Sequence, residues 1–174
     1  MIDNKKEKIL YSRDEIDVRV KEMGKELSQQ YKGRDLVIVS LLKGSFVFTA
    51  DLSRELSIPV EIEFMTTASY GNEEVSSGNV KILQDVRGSL KGKDVLIVDD
   101  IIDTGHTLKK VIEHLEEKEP NSIKVCVMLD KPSRRQVDLE PDYVGYEIPD
   151  VFIVGYGLNY GDYFRNIPYI FTFE

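Results

Sequence analysis

Short runs of apolar residues alternate along the chain with stretches in which apolar residues recur every three or four positions. Runs of four to seven apolar residues are typical of buried parallel strands, and the longer repeat is typical of amphipathic helices. The alternation predicts an α/β fold, a mainly parallel twisted sheet flanked by helices. Strands are predicted at residues 36–42, 60–65, 80–86, 95–98, 123–129 and within 146–157, and helices at residues 12–31, 46–56 and 104–118.

Two parts of the chain lie outside this alternation. Residues 66–79 are mostly small or polar and contain glycine, and so long a connection in a compact domain is typical of a lid or a disordered segment. Residues 1–8 are polar and are expected to be mobile. We expect the lid hairpin and the chain ends to form a small hood over the carboxyl edge of the sheet.

The composition restricts the class of protein. A chain of 174 residues with 41% hydrophobic residues fits one domain over residues 1–174. A net charge of −8 argues against nucleic acid as a partner, because a nucleic-acid surface is normally basic. The sequence has neither a signal peptide nor an apolar stretch of about 20 residues, so we expect a soluble cytoplasmic protein without membrane contact.

Three carboxylates follow the predicted strand at residues 95–98, namely Asp99, Asp100 and Asp103. Ligands of open α/β sheets bind at the carboxyl ends of the strands. Carboxylates at that edge are suited to sugar hydroxyls and to a hard cation, which prefers oxygen ligands. Any one of these residues could instead be a solvated loop residue or a helix cap.

Small residues continue the same stretch into the predicted helix. Thr104 and Thr107 can donate hydroxyl hydrogen bonds, and Gly105 allows a ligand to approach the backbone closely. The unpaired N–H groups at the start of a helix carry partial positive charge and suit a phosphate. The ordered set of residues 99–107 therefore indicates a site for a phosphorylated ribose with Mg²⁺.

A lysine and a glycine follow the predicted strand at residues 36–42. Lys43 and Gly44 lie at a second strand's carboxyl end, where a cation and a close-approach glycine suit pyrophosphate. An ordinary strand-to-helix turn would explain these two residues equally well when they are taken alone.

The stretch Asp-Asp-Ile-Ile-Asp-Thr-Gly-His-Thr at residues 99–107 closely resembles the phosphoribosyl-pyrophosphate (PRPP) motif of type I phosphoribosyltransferases. It looks most like the hypoxanthine-guanine branch of that family, and the resemblance extends over residues 8–171. It implies purine salvage: PRPP and hypoxanthine give IMP and pyrophosphate, and guanine gives GMP. It also implies Mg²⁺ as cofactor and a homodimer or homotetramer.

The resemblance assigns roles within the motif. Asp99 and Asp100 would hold the ribose hydroxyls, directly or through metal-bound water, and Asp103 would be the general acid/base near purine N7. The four residues that follow would hold the 5′-phosphate, mainly through backbone N–H groups, and the histidine among them is assigned a backbone contact only. These four are Thr104, Gly105, His106 and Thr107.

Pyrophosphate contacts are implied outside the motif. The Leu-Lys-Gly segment matches the pyrophosphate loop of the family, which implies a cis peptide bond between Leu42 and Lys43 and supports a role for Gly44. Arg165 matches an arginine that reaches pyrophosphate.

Purine and lid contacts are implied as well. The family lysine that matches Lys131 binds the 6-oxygen of the purine, the aromatic residue that matches Phe152 stacks on the base, and the backbone of the next residue, Ile153, contacts its edge. Ser69 and Tyr70 match the Ser-Tyr pair of a flexible loop that closes over the site.

One position departs from the family pattern. The family segment usually reads Leu-Asp-Tyr, and its aspartate helps to hold a second Mg²⁺ on pyrophosphate, whereas this chain has Asn159. An amide carbonyl can still ligate a hard cation but brings no charge. We therefore expect a weak second metal site.

Two other functions stay open on the sequence. A regulator of the same fold that binds RNA would keep the central motif but would need a basic face, which the net charge disfavours. A sister enzyme acting on adenine, uracil or orotate is opposed by Lys131 and the Phe152 segment, because adenine has no 6-oxo group.

Overall fold

A computed structural model describes residues 6–69 and 80–174. The described residues contain a six-stranded sheet in the order β4-β3-β2-β5-β6-β7, in which β4 alone is antiparallel to its neighbour. The predicted mainly parallel α/β sheet is confirmed. The elements are β1 (Glu7–Tyr11), α1 (Arg13–Gln30), β2 (Leu36–Leu42), α2 (Phe46–Glu55), β3 (Glu61–Ser69), β4 (Val80–Gln84), β5 (Asp94–Ile102), α3 (His106–Glu116), β6 (Ser122–Asp130), β7 (Tyr143–Glu147) and β8 (Ile170–Phe173).

Helices cover the sheet on both faces and bury its central strands. Along β2, Leu36 and Ile38 face the α1/α2 side, and Val37 and Val39 face the α3 side. All four side chains are at most 1% exposed, which explains why the strand reads as an unbroken apolar run.

The first predicted helix is confirmed with its cap. The Ser12 hydroxyl accepts a hydrogen bond from the Glu15 N–H, and the Glu15 carboxylate accepts one from the Ser12 N–H. This reciprocal capping box fixes the start of α1. Among the residues that the structure describes, no helix is both long enough and apolar enough to span a bilayer.

The central motif differs in detail from the prediction. Asp99 and Asp100 lie inside β5 and not after it, because β5 continues to pair with β6 through Ile101 and Ile102. Beyond the two acids, Ile102 is again a buried apolar residue, and the strand continues as far as this position. Helix α3 begins at His106, two residues later than predicted.

The prediction that residues 66–79 form one long loop is wrong at its start. Strand β3 extends to Ser69, because residues 66–69 pair with β4 in an antiparallel ladder. This hairpin belongs to the main sheet and is not part of a hood. Tyr70, and the rest of the predicted lid up to residue 79, lie outside the described residues.

The chain ends form a separate structure. Strands β1 and β8 pair in a two-stranded antiparallel sheet, which includes Glu7 and Lys8 from the segment expected to be mobile. The prediction of a further strand within residues 146–157 is wrong beyond the end of β7. Residues 151–154 are irregular apart from one bridge between Val154 and Phe171.

Candidate active site

The loops that follow β2, β5 and β6 meet at one edge of the sheet, because these three strands are parallel neighbours. Each loop carries residues singled out in the sequence. The carboxyl edge of a parallel sheet is the usual location of a ligand site in such folds.

We call residues 99–107, which are predicted to bind the phosphorylated ribose, the ribose-phosphate end of the site. Gly105 caps α3 with a left-handed backbone, φ 87°, which favours glycine, and a methyl group there would lie 2.6 Å from Val137 Cγ2. The first turn of α3 contains no acidic residue. The start of this helix therefore presents its unpaired N–H groups without a competing carboxylate, which suits a phosphate.

The side chain of His106 contacts a neighbouring residue of the protein and is not assigned to phosphate binding. His106 Nε2 lies 3.0 Å from Gln136 Oε1. The backbone of residue 136 is tied to the same loop, because the Gln136 N–H donates to the Thr104 carbonyl at 3.0 Å. The imidazole thus braces the loop, and the backbone of His106 is the part available for a phosphate.

Asp99 and Asp100 form a pair of like charges. Removal from water raises the pKa of both carboxyls, and the charge of Asp100 raises the pKa of Asp99 further. Arg165 acts in the opposite direction on Asp100. A divalent cation would relieve this repulsion, so the pair has the donor chemistry that Mg²⁺ requires.

No group of three or more acidic, histidine or cysteine residues within residues 6–69 and 80–174 could hold a metal ion. Mg²⁺ is commonly held by one or two carboxylates together with substrate phosphate oxygens and water. Asp99 and Asp100 could supply the carboxylates of such a site.

The residues predicted to bind pyrophosphate come together around Gly44. A methyl group on Gly44 would overlap Asp100 Oδ2, and one on Gly157 would overlap the Gly44 carbonyl oxygen. Arg165 Nη1 donates to the Gly157 carbonyl at 2.6 Å. Lys43 follows the cis peptide bond that the family resemblance implies, and its side chain is exposed.

We call residues 131–135 and 150–153, which include the residues predicted to bind the purine, the purine end of the site. Lys131 is 8% exposed, its N–H donates to the Ile102 carbonyl, and its Nζ lies 3.7 Å from Asp150 Oδ1. Phe152 is 57% exposed and meets Tyr160 edge to face. The Ile153 side chain is buried in the core, which leaves its backbone as the group that can meet a ligand.

Two arginines that were given no role from the sequence hold Asp103. Arg134 Nε donates to Asp103 Oδ1 at 2.9 Å, and Arg135 Nη1 donates to the Asp103 carbonyl at 2.6 Å. Their only sequence signal is the run of basic residues after β6. Asp150 and Gly157 were likewise missed, because their roles come from contacts with residues remote in the chain.

Asn159 is exposed, and its Nδ2 donates to the Gly161 carbonyl at 2.6 Å. The donating end of the amide is thus engaged within its own turn. The carbonyl oxygen is the end that could ligate a cation, as a neutral donor.

A cleft of about 420 Å³ lies between Arg165 and helices α1 and α2. Arg13 and Lys21 of α1 and Asp51 and Arg54 of α2 line it. None of the acidic residues of the ribose-phosphate end borders this cleft, so the candidate site is the carboxyl edge of the sheet and not this cleft.

A model of the phosphoribosyl transferase domain matches residues 8–161. The chain belongs to the phosphoribosyltransferase family. The hypoxanthine phosphoribosyltransferase of Salmonella typhimurium is 50% identical over 158 residues, which cover 90% of this chain and 89% of that protein.

Solved structures of phosphoribosyltransferases agree with this fold. A hypoxanthine phosphoribosyltransferase from Staphylococcus aureus has a TM-score of 0.93 at 43% identity, covering 96% of this chain and 91% of that one. A hypoxanthine-guanine phosphoribosyltransferase from Bacillus anthracis has a TM-score of 0.92 at 42% identity, covering 97% and 99%.

Proposed function

We propose that this phosphoribosyltransferase transfers the 5-phosphoribosyl group from PRPP to hypoxanthine and guanine, giving IMP or GMP and pyrophosphate. The observation that carries the proposal is the ordered set of residues 99–107, with two paired carboxylates leading into the open start of α3. The names of the relatives at about half identity support the choice of purine.

Recognition of a 6-oxopurine is assigned to the purine end. Lys131 is a charged donor in a largely buried position, so a carbonyl oxygen brought to it gains a charge-assisted hydrogen bond. The exposed ring of Phe152 offers a face on which the base can stack. Adenine carries an amino group at the 6-position and would leave the lysine without an acceptor.

The transfer breaks the bond between ribose C1′ and pyrophosphate and forms a bond from C1′ to purine N9. Positive charge develops on the ribose ring as pyrophosphate departs. Lys43 and Arg165 stabilise the leaving pyrophosphate through their positive charge. Asp103, at the purine side of the motif, accepts the proton that the base loses at N7.

Asp99 and Asp100 would hold the ribose hydroxyls and the Mg²⁺ that accompanies PRPP. The bound cation would supply charge neutralisation of the pyrophosphate. Asn159 would offer a neutral oxygen to a second ion on the pyrophosphate side, which is why that second site is proposed to be weak.

The proposal is tested by incubating the protein with PRPP, Mg²⁺ and one base at a time. IMP and GMP are expected from hypoxanthine and guanine, and no nucleotide is expected from adenine, uracil or orotate. Xanthine measures preference at the 2-position, which the sequence does not predict. A faster reaction with adenine, uracil or orotate would overturn the proposed substrate class.

We also infer that the chain forms a homodimer or homotetramer in the cytoplasm. Large aromatic side chains lie exposed beside the pyrophosphate residues: Phe46 is 45% exposed and Tyr163 74%, and both line one cleft with Phe164. Phe64, on the strand next to β2, is 43% exposed. Light scattering after size-exclusion chromatography tests this inference, and a monomer mass would contradict it.

A further inference from the structure

We infer that Arg134 is a positioning residue for Asp103: it holds one carboxylate oxygen and leaves the other to take the purine proton. The inference rests on the proposed function, in which Asp103 is the general base. It adds a residue to which neither the sequence nor the family resemblance assigned a role.

Two consecutive arginines hold Asp103 from one loop, and they hold different parts of it. Arg135 is 8% exposed, is paired with the buried Asp130, and donates to the backbone carbonyl of Asp103. It also donates to the Leu139 carbonyl at 2.8 Å. Arg135 therefore fixes where the Asp103 backbone lies and is part of the folded framework.

Arg134 contacts the carboxylate and not the backbone. Its Nε donates to Asp103 Oδ1 at 2.9 Å, and its Nη1 lies 3.5 Å from Asp150 Oδ2. The side chains of Arg134 and Asp103 are 43% and 40% exposed. Arg134 thus lies at the open edge of the site, where its removal leaves no buried group without a partner.

These contacts extend a line of alternating charges across the purine end. Asp103 pairs with Arg134, Arg134 with Asp150, and Asp150 with Lys131, the lysine assigned to the purine 6-oxygen. The hydrogen bond to Asp103 is the main cause that raises the pKa of Arg134 above its usual value.

The chemistry requires a carboxylate with one oxygen free to take a proton. As N9 of the purine bonds to C1′, the electron pair of the C1′–O bond leaves with pyrophosphate, and the proton on N7 must pass to a base. A carboxylate can accept that proton only when it is ionised. Because a guanidinium stays charged at every working pH, it can hold Oδ1 while Oδ2 receives the proton.

A double-mutant cycle with Asp103→Asn tests whether Arg134 acts through Asp103. In the wild-type background, Arg134→Ala is expected to lower kcat about tenfold, the size expected for a charge-assisted hydrogen bond weakened by exposure. The KM for PRPP should stay within about twofold, and Arg134→Lys should recover part of the loss. In the Asp103→Asn background, Arg134→Ala should have almost no further effect, because coupled residues are not additive.

Lys91→Ala is the matched control, since Lys91 forms an exposed ion pair with Glu119 before the amino end of β5, at the opposite edge of the sheet. It should leave kcat unchanged, and the thermal midpoints of both single variants should match the wild type. If Arg134→Ala lowers kcat equally in both backgrounds, or not at all, the role of Arg134 is overturned while the proposed function stands. If Asp103→Asn itself leaves kcat within about threefold, the assignment of Asp103 fails and takes the role of Arg134 with it.

Discussion

The ribose-phosphate end of the site comes from one continuous stretch, whereas the purine end is assembled from two loops that lie apart in the chain. Residues 99–107 are placed by β5, α3 and the single glycine between them. Residues 131–135 and 150–153 follow different strands and are tied together by ion pairs through Asp150. A site built from one strand and one helix is fixed by backbone geometry, and a site built from loops depends on its side-chain contacts.

The ribose-phosphate end carries the largest expected effect. Asp103→Asn should lower kcat by about 10²–10⁴-fold, because it removes the proposed general base while preserving the shape of the side chain. PRPP affinity should change much less. Steady-state kinetics, with the concentrations of both substrates varied, measure these two effects. A kcat within about threefold of wild type would contradict the assignment.

A second change tests the close packing where the loop after β2 meets β5. Gly44→Ala should raise the KM for PRPP by about a hundredfold, because the added methyl group overlaps the Asp100 carboxylate and displaces the loop. Gly33→Ala is the control: Gly33 has a positive φ but nothing within 4 Å of the added methyl group. That variant should lose about 1 kcal/mol of stability and keep its KM. Equal KM values for all three proteins would refute the packing argument.

A change at the purine end should impair the reaction with the purines and leave PRPP binding unchanged. Lys131→Ala should lower kcat/KM for hypoxanthine and guanine together by about 10- to 100-fold, the value of one charge-assisted hydrogen bond of 1.5–3 kcal/mol. Lys124→Ala, at an exposed position of β6, the strand that precedes Lys131, should have no effect. If the KM for PRPP rises while both purines are bound as before, Lys131 contacts phosphate instead.

The smallest effect concerns the departure at residue 159. Asn159→Asp should lower the free Mg²⁺ needed for half-maximal activity by about tenfold, since a charged ligand worth about 1.4 kcal/mol is added. Binding of Mg²⁺ with pyrophosphate, followed by calorimetry, should shift in the same direction. Superimposable titrations would mean that pyrophosphate itself holds the second ion.

The sequence predicted the parts of the molecule that depend on local pattern. Three such parts are the apolar run of β2, the cap at Ser12 and the order of residues 99–107. Each of them involves residues close together in the chain, so spacing and propensity predict it. The end of β5 was predicted too early, because the two acids interrupt the apolar run although the strand pairing continues beyond them.

The contacts of the purine end could not be predicted in this way. Nothing in the local pattern shows that Arg134 reaches Asp103, 31 residues away, or that Asp150 meets Lys131. The pairing of β1 with β8 joins segments from opposite ends of the chain, and the periodicity of the sequence does not predict it either. The family resemblance predicted roles for Lys131 and Phe152. The residues that contact them, Asp150 and Tyr160, are identified only from the structure.

A crystal structure of the protein with IMP tests the whole site at once, because this product carries the phosphate, the ribose and the base. We expect phosphate oxygens about 3 Å from backbone nitrogens at the start of α3, and the 6-oxygen at a similar distance from Lys131 Nζ. The base should lie against Phe152 with N7 towards Asp103. A phosphate bound in the cleft between Arg165 and helices α1 and α2, or a base that makes no contact with Lys131, would contradict the proposed site.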